Sequence, residues 1–130
     1  MQQGFQSRIA EVVTLDGRNF KLSKPIEYVA KDGALYTVPE GADTDGASTP
    51  RSLWSVLPPF GDYWLACVLH DAAYRNTLRK GGTSANLTKE QSDNLLLEAM
   101  QSCQVDEIAC QTIYEGVKWG GFKAFRDDRK

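Results

Sequence analysis

Residues 62–75 read DYWLACVLHDAAYR, and the spacing of their apolar side chains decides how the chain is built. Trp64, Leu65, Val68, Leu69 and Ala72 recur at intervals of three and four, the repeat of one helical face, and Asp62 stands before them as an N-cap. A buried helix is therefore expected from Asp62 to about Arg75.

Upstream of it the apolar residues fall into short runs with a period nearer two. Ile9, Val12, Val13 and Leu15 form one, Phe20 and Leu22 a second, Ile26, Tyr28 and Val29 a third, and Leu35, Tyr36 and Val38 a fourth. Asp16-Gly17 and Asp32-Gly33 lie between runs, and such Asp-Gly pairs favour tight hairpin turns because glycine takes positive φ without strain. Pro25 and Pro39 fall at run boundaries, where a missing N–H removes no central ladder bond. A small antiparallel sheet of hairpins follows.

Downstream, residues 76–87 read as a loop containing Gly81-Gly82. Thr88 and Gln91 have the capping-box spacing ahead of Leu95, Leu96, Leu97 and Met100, which predicts a second helix. A third starts at Asp106 and runs through Ile108, Ala109, Ile113 and Val117 until Gly120-Gly121 stops it. The expected fold class is α+β, with β-hairpins in residues 1–47, a corner loop at 48–61 and three packed helices within 62–125. The 130 residues are expected to form a single domain.

Fifteen basic and 17 acidic side chains give a net charge of -2, which argues against a nucleic-acid partner or a polybasic membrane patch. No apolar run approaches the roughly 18 to 20 residues that span a bilayer, and the N-terminus lacks the layout of a signal peptide. The chain is thus expected not to be transmembrane and to fold in a cytoplasm. Cys67, Cys103 and Cys110 cannot all pair with one another and lack zinc-knuckle or CxxC spacing, so reduced thiols on helix faces are expected. Trp54, Trp64 and Trp119 read as core or interface anchors.

The chain has one histidine, His70. On a helix it shares a face with Cys67 and Tyr74, while Asp71 is turned by about 100°. Asp93 falls on or beside the core-facing stripe of the second helix, where a solvated charge does not belong. A hydrogen bond between His70 and Asp93 would fix the imidazole tautomer and leave the other ring nitrogen as a base. Asp71, with Asp45 or carbonyls of the corner loop, could then hold a hard cation such as calcium. That loop, TDGASTPRSLW at residues 44–54, offers Thr44, Gly46 and Ser48 as support, while Thr49-Pro50 reads as a helix start. The same residues have a plainer reading. His70, Asp71 and Asp93 can form a satisfied core network, Tyr74 can be a packing residue, and Asp45 with Ser48 can merely close a capped corner.

The ordered motifs TDGASTPR, LHDAAYR and SDNLLLEAM resemble a family of small phage and prophage proteins catalogued as a domain of unknown function. Its members carry a TDGAS-x-PR loop, an HD-x-x-Y helix and an AD-x-x-F-x-x-AM helix. The likeness covers roughly residues 41–125, with Ser92 in place of the alanine and Leu96 in place of the aromatic. It implies a phage or prophage origin among tail or late genes, synthesis in a bacterial host cytoplasm, incorporation into the virion tail and other phage structural proteins as partners. It implies no established activity.

HD-x-x-Y on one helix and an aspartate on another are also similar to the catalytic helices of secreted and parvoviral phospholipases A2. This likeness implies His70 as the base that activates water, Asp71 as the calcium carboxylate, Tyr74 as a hydrogen-bonding support and Asp93 as the residue that orients the histidine. Calcium would stabilise the oxyanion formed on a phospholipid ester. The glycine-rich calcium loop of those enzymes is absent as such, so DTDGAS would substitute for it. Two functions are expected from these features. One is a metal-assisted ester hydrolase used in phage entry. The other is a non-enzymatic tail or baseplate accessory or assembly protein in which the same residues form a structural network.

Overall fold

The computed structural model describes residues 3–6, 12–14, 20–44 and 64–120. Six strands come first: β1 Gly4–Phe5, β2 Val12–Thr14, β3 Phe20–Leu22, β4 Ile26–Val29, β5 Leu35–Val38 and β6 Asp43–Thr44. Then follow α1 Trp64–Tyr74, β7 Arg79–Lys80, β8 Thr83–Ser84, α2 Lys89–Ser102 and α3 Glu107–Gly120. The arrangement is α+β, an antiparallel N-terminal part followed by three helices.

The expected hairpins pair, but they belong to two sheets rather than one. Val29 faces Leu35 across the β4–β5 hairpin, and Val12 faces Leu22 across β2–β3. The first belongs to a five-stranded sheet in the order β1-β4-β5-β7-β8, the second to a three-stranded sheet in the order β2-β3-β6. At the β4–β5 turn Gly33 has φ 88°, and its N–H donates to the Ala30 carbonyl at 2.9 Å. Asp32 Oδ1 accepts the Ala34 N–H at 2.9 Å. An Asp-Gly pair supplies both the side-chain acceptor and the left-handed residue that this turn requires. The Asp16-Gly17 turn lies outside the described residues, as does Asp62, the expected cap of α1.

The stretch expected to be a loop contains a hairpin of its own. Gly81 and Gly82 have φ 58° and 93°, the double positive φ of a two-residue hairpin turn, and Lys80 faces Thr83 across it. Strand β7 also pairs with β5, Tyr36 opposite Lys80, so a segment from the helical half extends the N-terminal sheet. Both strands are two residues long and exposed, and no hydrophobic alternation announces them.

Every residue from 65 to 74 is buried, which makes α1 the central helix. It packs on α2, and α2 packs on α3. Val68, Leu69, Leu96, Met100 and Ile113 meet the inward residues Leu22, Tyr28 and Val38 of the sheets in one core. Alternation orients β4, whose Ile26 and Tyr28 are buried while Glu27 is exposed. The capping box at Thr88 fixes where α2 begins: its Oγ1 accepts the Gln91 N–H at 3.1 Å, and Gln91 Oε1 accepts the Thr88 N–H at 2.9 Å. Asp106 Oδ2 accepts the Ala109 N–H at 3.2 Å at the start of α3. Among the described residues no helix is long and apolar enough to cross a membrane.

Candidate functional site

Helix α1 presents His70 and Tyr74 one turn apart, and α2 presents Asp93 to both. Nε2 of His70 lies 2.8 Å from Asp93 Oδ1, and the Tyr74 hydroxyl donates to the same oxygen at 2.6 Å. The two rings stand 4.1 Å apart, centroid to centroid. His70 is 0% exposed and Asp93 2%.

The second carboxylate oxygen is equally engaged. Lys89, one turn before Asp93 on α2, donates from Nζ to Oδ2 at 2.8 Å. The same ammonium donates to the carbonyls of Val117 and Lys118 at 3.0 Å each. These belong to the last turn of α3, whose carbonyls lack intrahelical partners and carry the negative end of the helix dipole. One lysine thereby joins the start of α2, the end of α3 and the buried carboxylate.

Burial by itself would push the Asp93 carboxyl up, but hydrogen bonds from His70, Lys89 and Tyr74 outweigh it and hold Asp93 below the ordinary carboxylate range. The group is ionised at neutral pH and can only accept hydrogen bonds. Nε2 of His70 must therefore carry a proton, and in the neutral ring Nδ1 is the nitrogen that can receive one.

Asp71 has a cationic side chain beside it. Both of its oxygens lie 3.1 Å from Nε of Arg75, one turn further along α1, and the residue is 5% exposed. A guanidinium already matches the charge that a cation would have to match. No group of three or more His, Cys, Asp or Glu side chains among the described residues could hold a metal ion. The expected calcium site draws also on the corner loop, most of which lies beyond the described residues. Asp45, Gly46 and Ser48 lie outside them, and Thr44 is described only as backbone, paired with Phe20 at the end of β6.

Lys89 and Arg75 were not singled out by sequence reasoning. Each stands four residues from the aspartate it pairs with, a spacing legible in the sequence as an ion pair on one helical face. Cys67, Cys103 and Cys110 are buried and form no disulfide among the described residues, and burial pushes the Cys110 thiol up. Trp119, expected as a core or interface anchor, is 69% exposed and lies outside the core.

Comparison with known proteins leads to a family without an assigned activity. The chain is 41% identical over 54 residues to "Uncharacterized protein y4jT" of Sinorhizobium fredii (strain NBRC 101917 / NGR234), a match covering 40% of this chain and 16% of that protein. No solved structure matches. Residues 20–117, which include α1, α2 and nearly all of α3, match the family model described as "Protein of unknown function (DUF1353)". The chain belongs to the DUF1353 family.

Proposed function

We propose that the chain is an ester hydrolase in which His70 is the general base, Asp93 and Tyr74 hold it, and a phospholipid is the substrate. The observation that carries this reading is the shared acceptor: Asp93 Oδ1 lies 2.8 Å from His70 Nε2 and 2.6 Å from the Tyr74 hydroxyl. A buried ionised carboxylate on one ring nitrogen raises the basicity of the other and stabilises the imidazolium once formed.

In this mechanism His70, held at Nε2 by Asp93, takes a proton from water as the oxygen attacks the ester carbonyl. The imidazolium then returns that proton to the departing alkoxide, so an acid and an alcohol leave and the neutral ring is restored. Lys89 keeps Asp93 ionised throughout. The proton transfers run through His70 alone, and Asp71 is paired with Arg75. The setting is a phage or prophage protein, associated with the tail, that meets a membrane lipid during entry.

The test is turnover of a phospholipid and of a soluble short-chain ester, in calcium and in EDTA. His70→Gln should lower it by about a hundredfold or more. Absence of turnover by the wild-type chain in both conditions would overturn the reading. His70 is 0% exposed and Lys89 ties Asp93 to the end of α3, which favours a second reading, a structural knot in a non-enzymatic tail or assembly component. On that reading His70→Gln lowers the melting temperature and there is no turnover to lose.

A further inference from the structure

A pocket of about 390 Å³ opens where α2 begins and α3 ends, between Lys89, Glu90, Asp93, Tyr114, Lys118 and Trp119. Neither His70 nor Tyr74 borders it. Its size falls near the lower end of small-molecule sites.

Two aromatic rings form the walls, and each is tethered. The Tyr114 hydroxyl donates to Asn94 Oδ1 at 2.9 Å, and Trp119 Nε1 donates to Glu115 Oε2 at 2.8 Å. The rings therefore offer preset faces. Nζ of Lys118 lies 5.8 Å from the Tyr114 centroid and 5.4 Å from that of Trp119, within the range over which a ring quadrupole attracts a cation. An alkylammonium of the chain itself thus already stands against both rings.

The charges favour a cation over an anion. Lys89 directs its ammonium at Asp93 Oδ2 and the carbonyls of Val117 and Lys118, which match its charge inside the protein. Of the remaining pair, Lys118 sits over the rings and Glu90 contributes a carboxylate. A ligand ammonium that displaced Lys118 Nζ would meet two aromatic faces and a carboxylate, and would cover a tryptophan that is 69% exposed. We infer that this pocket binds the ammonium group of a ligand, primary or quaternary, in the place that Lys118 Nζ now takes. Free amines and zwitterionic lipid headgroups both carry that group. The site stands whether or not His70 acts as a base.

The experiment is a titration of the 15N-labelled 130-residue chain with choline chloride at constant ionic strength, followed at the Trp119 indole and the Glu90 amide. Sodium phosphate is the counter-titrant. Choline should give a saturable shift, and Lys118→Ala should tighten it by about threefold or more by removing the internal competitor. Trp119→Ala, read at the Glu90 amide, should weaken it by about fivefold or more. Phosphatidylcholine vesicles in place of choline separate the two sources: a vesicle-bound chain that Trp119→Ala releases identifies the headgroup, and no such binding identifies the free amine. No saturable shift with choline would overturn the inference. So would a phosphate shift that Lys118→Ala abolishes, since both lysines would then serve an anion. Lys118 is a surface residue, so its variant keeps the test decisive even where Trp119→Ala alters stability.

Discussion

Nε2 of His70 and Oδ1 of Asp93 lie 2.8 Å apart across 23 residues of sequence, and the contact fastens α1 to α2 inside the core. A carboxylate in such a place is tolerated only while its lone pairs are used, because an uncompensated buried charge costs several kcal/mol. Here Tyr74 and Lys89 complete the set.

Removing the charge should therefore be expensive. Asp93→Asn leaves the Lys89 ammonium without its anionic partner and turns an amide NH₂ toward groups that are themselves donors. Stability should fall by about 3–5 kcal/mol, read from urea unfolding midpoints at neutral pH. A loss under about 1 kcal/mol would mean that the network relaxes around the substitution.

The same carboxylate should mark the acid limb of stability. Its folded-state pKa is lowered from 3.8: burial works against ionisation, and the bonds from His70, Lys89 and Tyr74 prevail. A depressed carboxyl contributes stability that is fully present above its unfolded value and is lost as pH falls through the folded one. Unfolding midpoints measured from pH 6 downward should drop below about pH 4, and Asp93→Asn should lack that component.

Tyr74→Phe separates the support from the base. It deletes one hydroxyl that donates to Asp93 at 2.6 Å and leaves the ring beside His70. The expected cost is about 1–2 kcal/mol of stability. On the hydrolase reading, turnover should fall by about tenfold, well short of the loss in His70→Gln, because His70 still meets Asp93. Equal losses in the two variants would argue against the assigned roles.

Thr88→Ala tests how α2 is held at its start. The residue is exposed, so its contribution comes from the capping box rather than from packing. About 1 kcal/mol should be lost in chemical denaturation. Asp93 lies in the second turn behind that cap, so hydrogen exchange at its amide should accelerate with it.

Local signals account for much of what can be read without coordinates. The helical period of Leu65, Val68, Leu69 and Ala72, the Thr88–Gln91 box and the Asp32-Gly33 turn act between residues a few positions apart. The meeting of His70 with Asp93 was also legible, since each sits as a polar residue on an apolar face and one core must receive both. What each residue does there is a separate question, which turnover and binding will answer.

The sequence by itself determined an α+β chain, its three helices, the pairing within its early hairpins and the meeting of His70 with Asp93. These follow from periodicity, capping and turn chemistry, which are short-range. Only the tertiary structure decided that the hairpins divide between two sheets, that the Gly81-Gly82 hairpin joins β5, and that Lys89 closes the end of α3. Strand edges and helix ends leave backbone groups that many partners could satisfy, and the docking of distant segments selects among them.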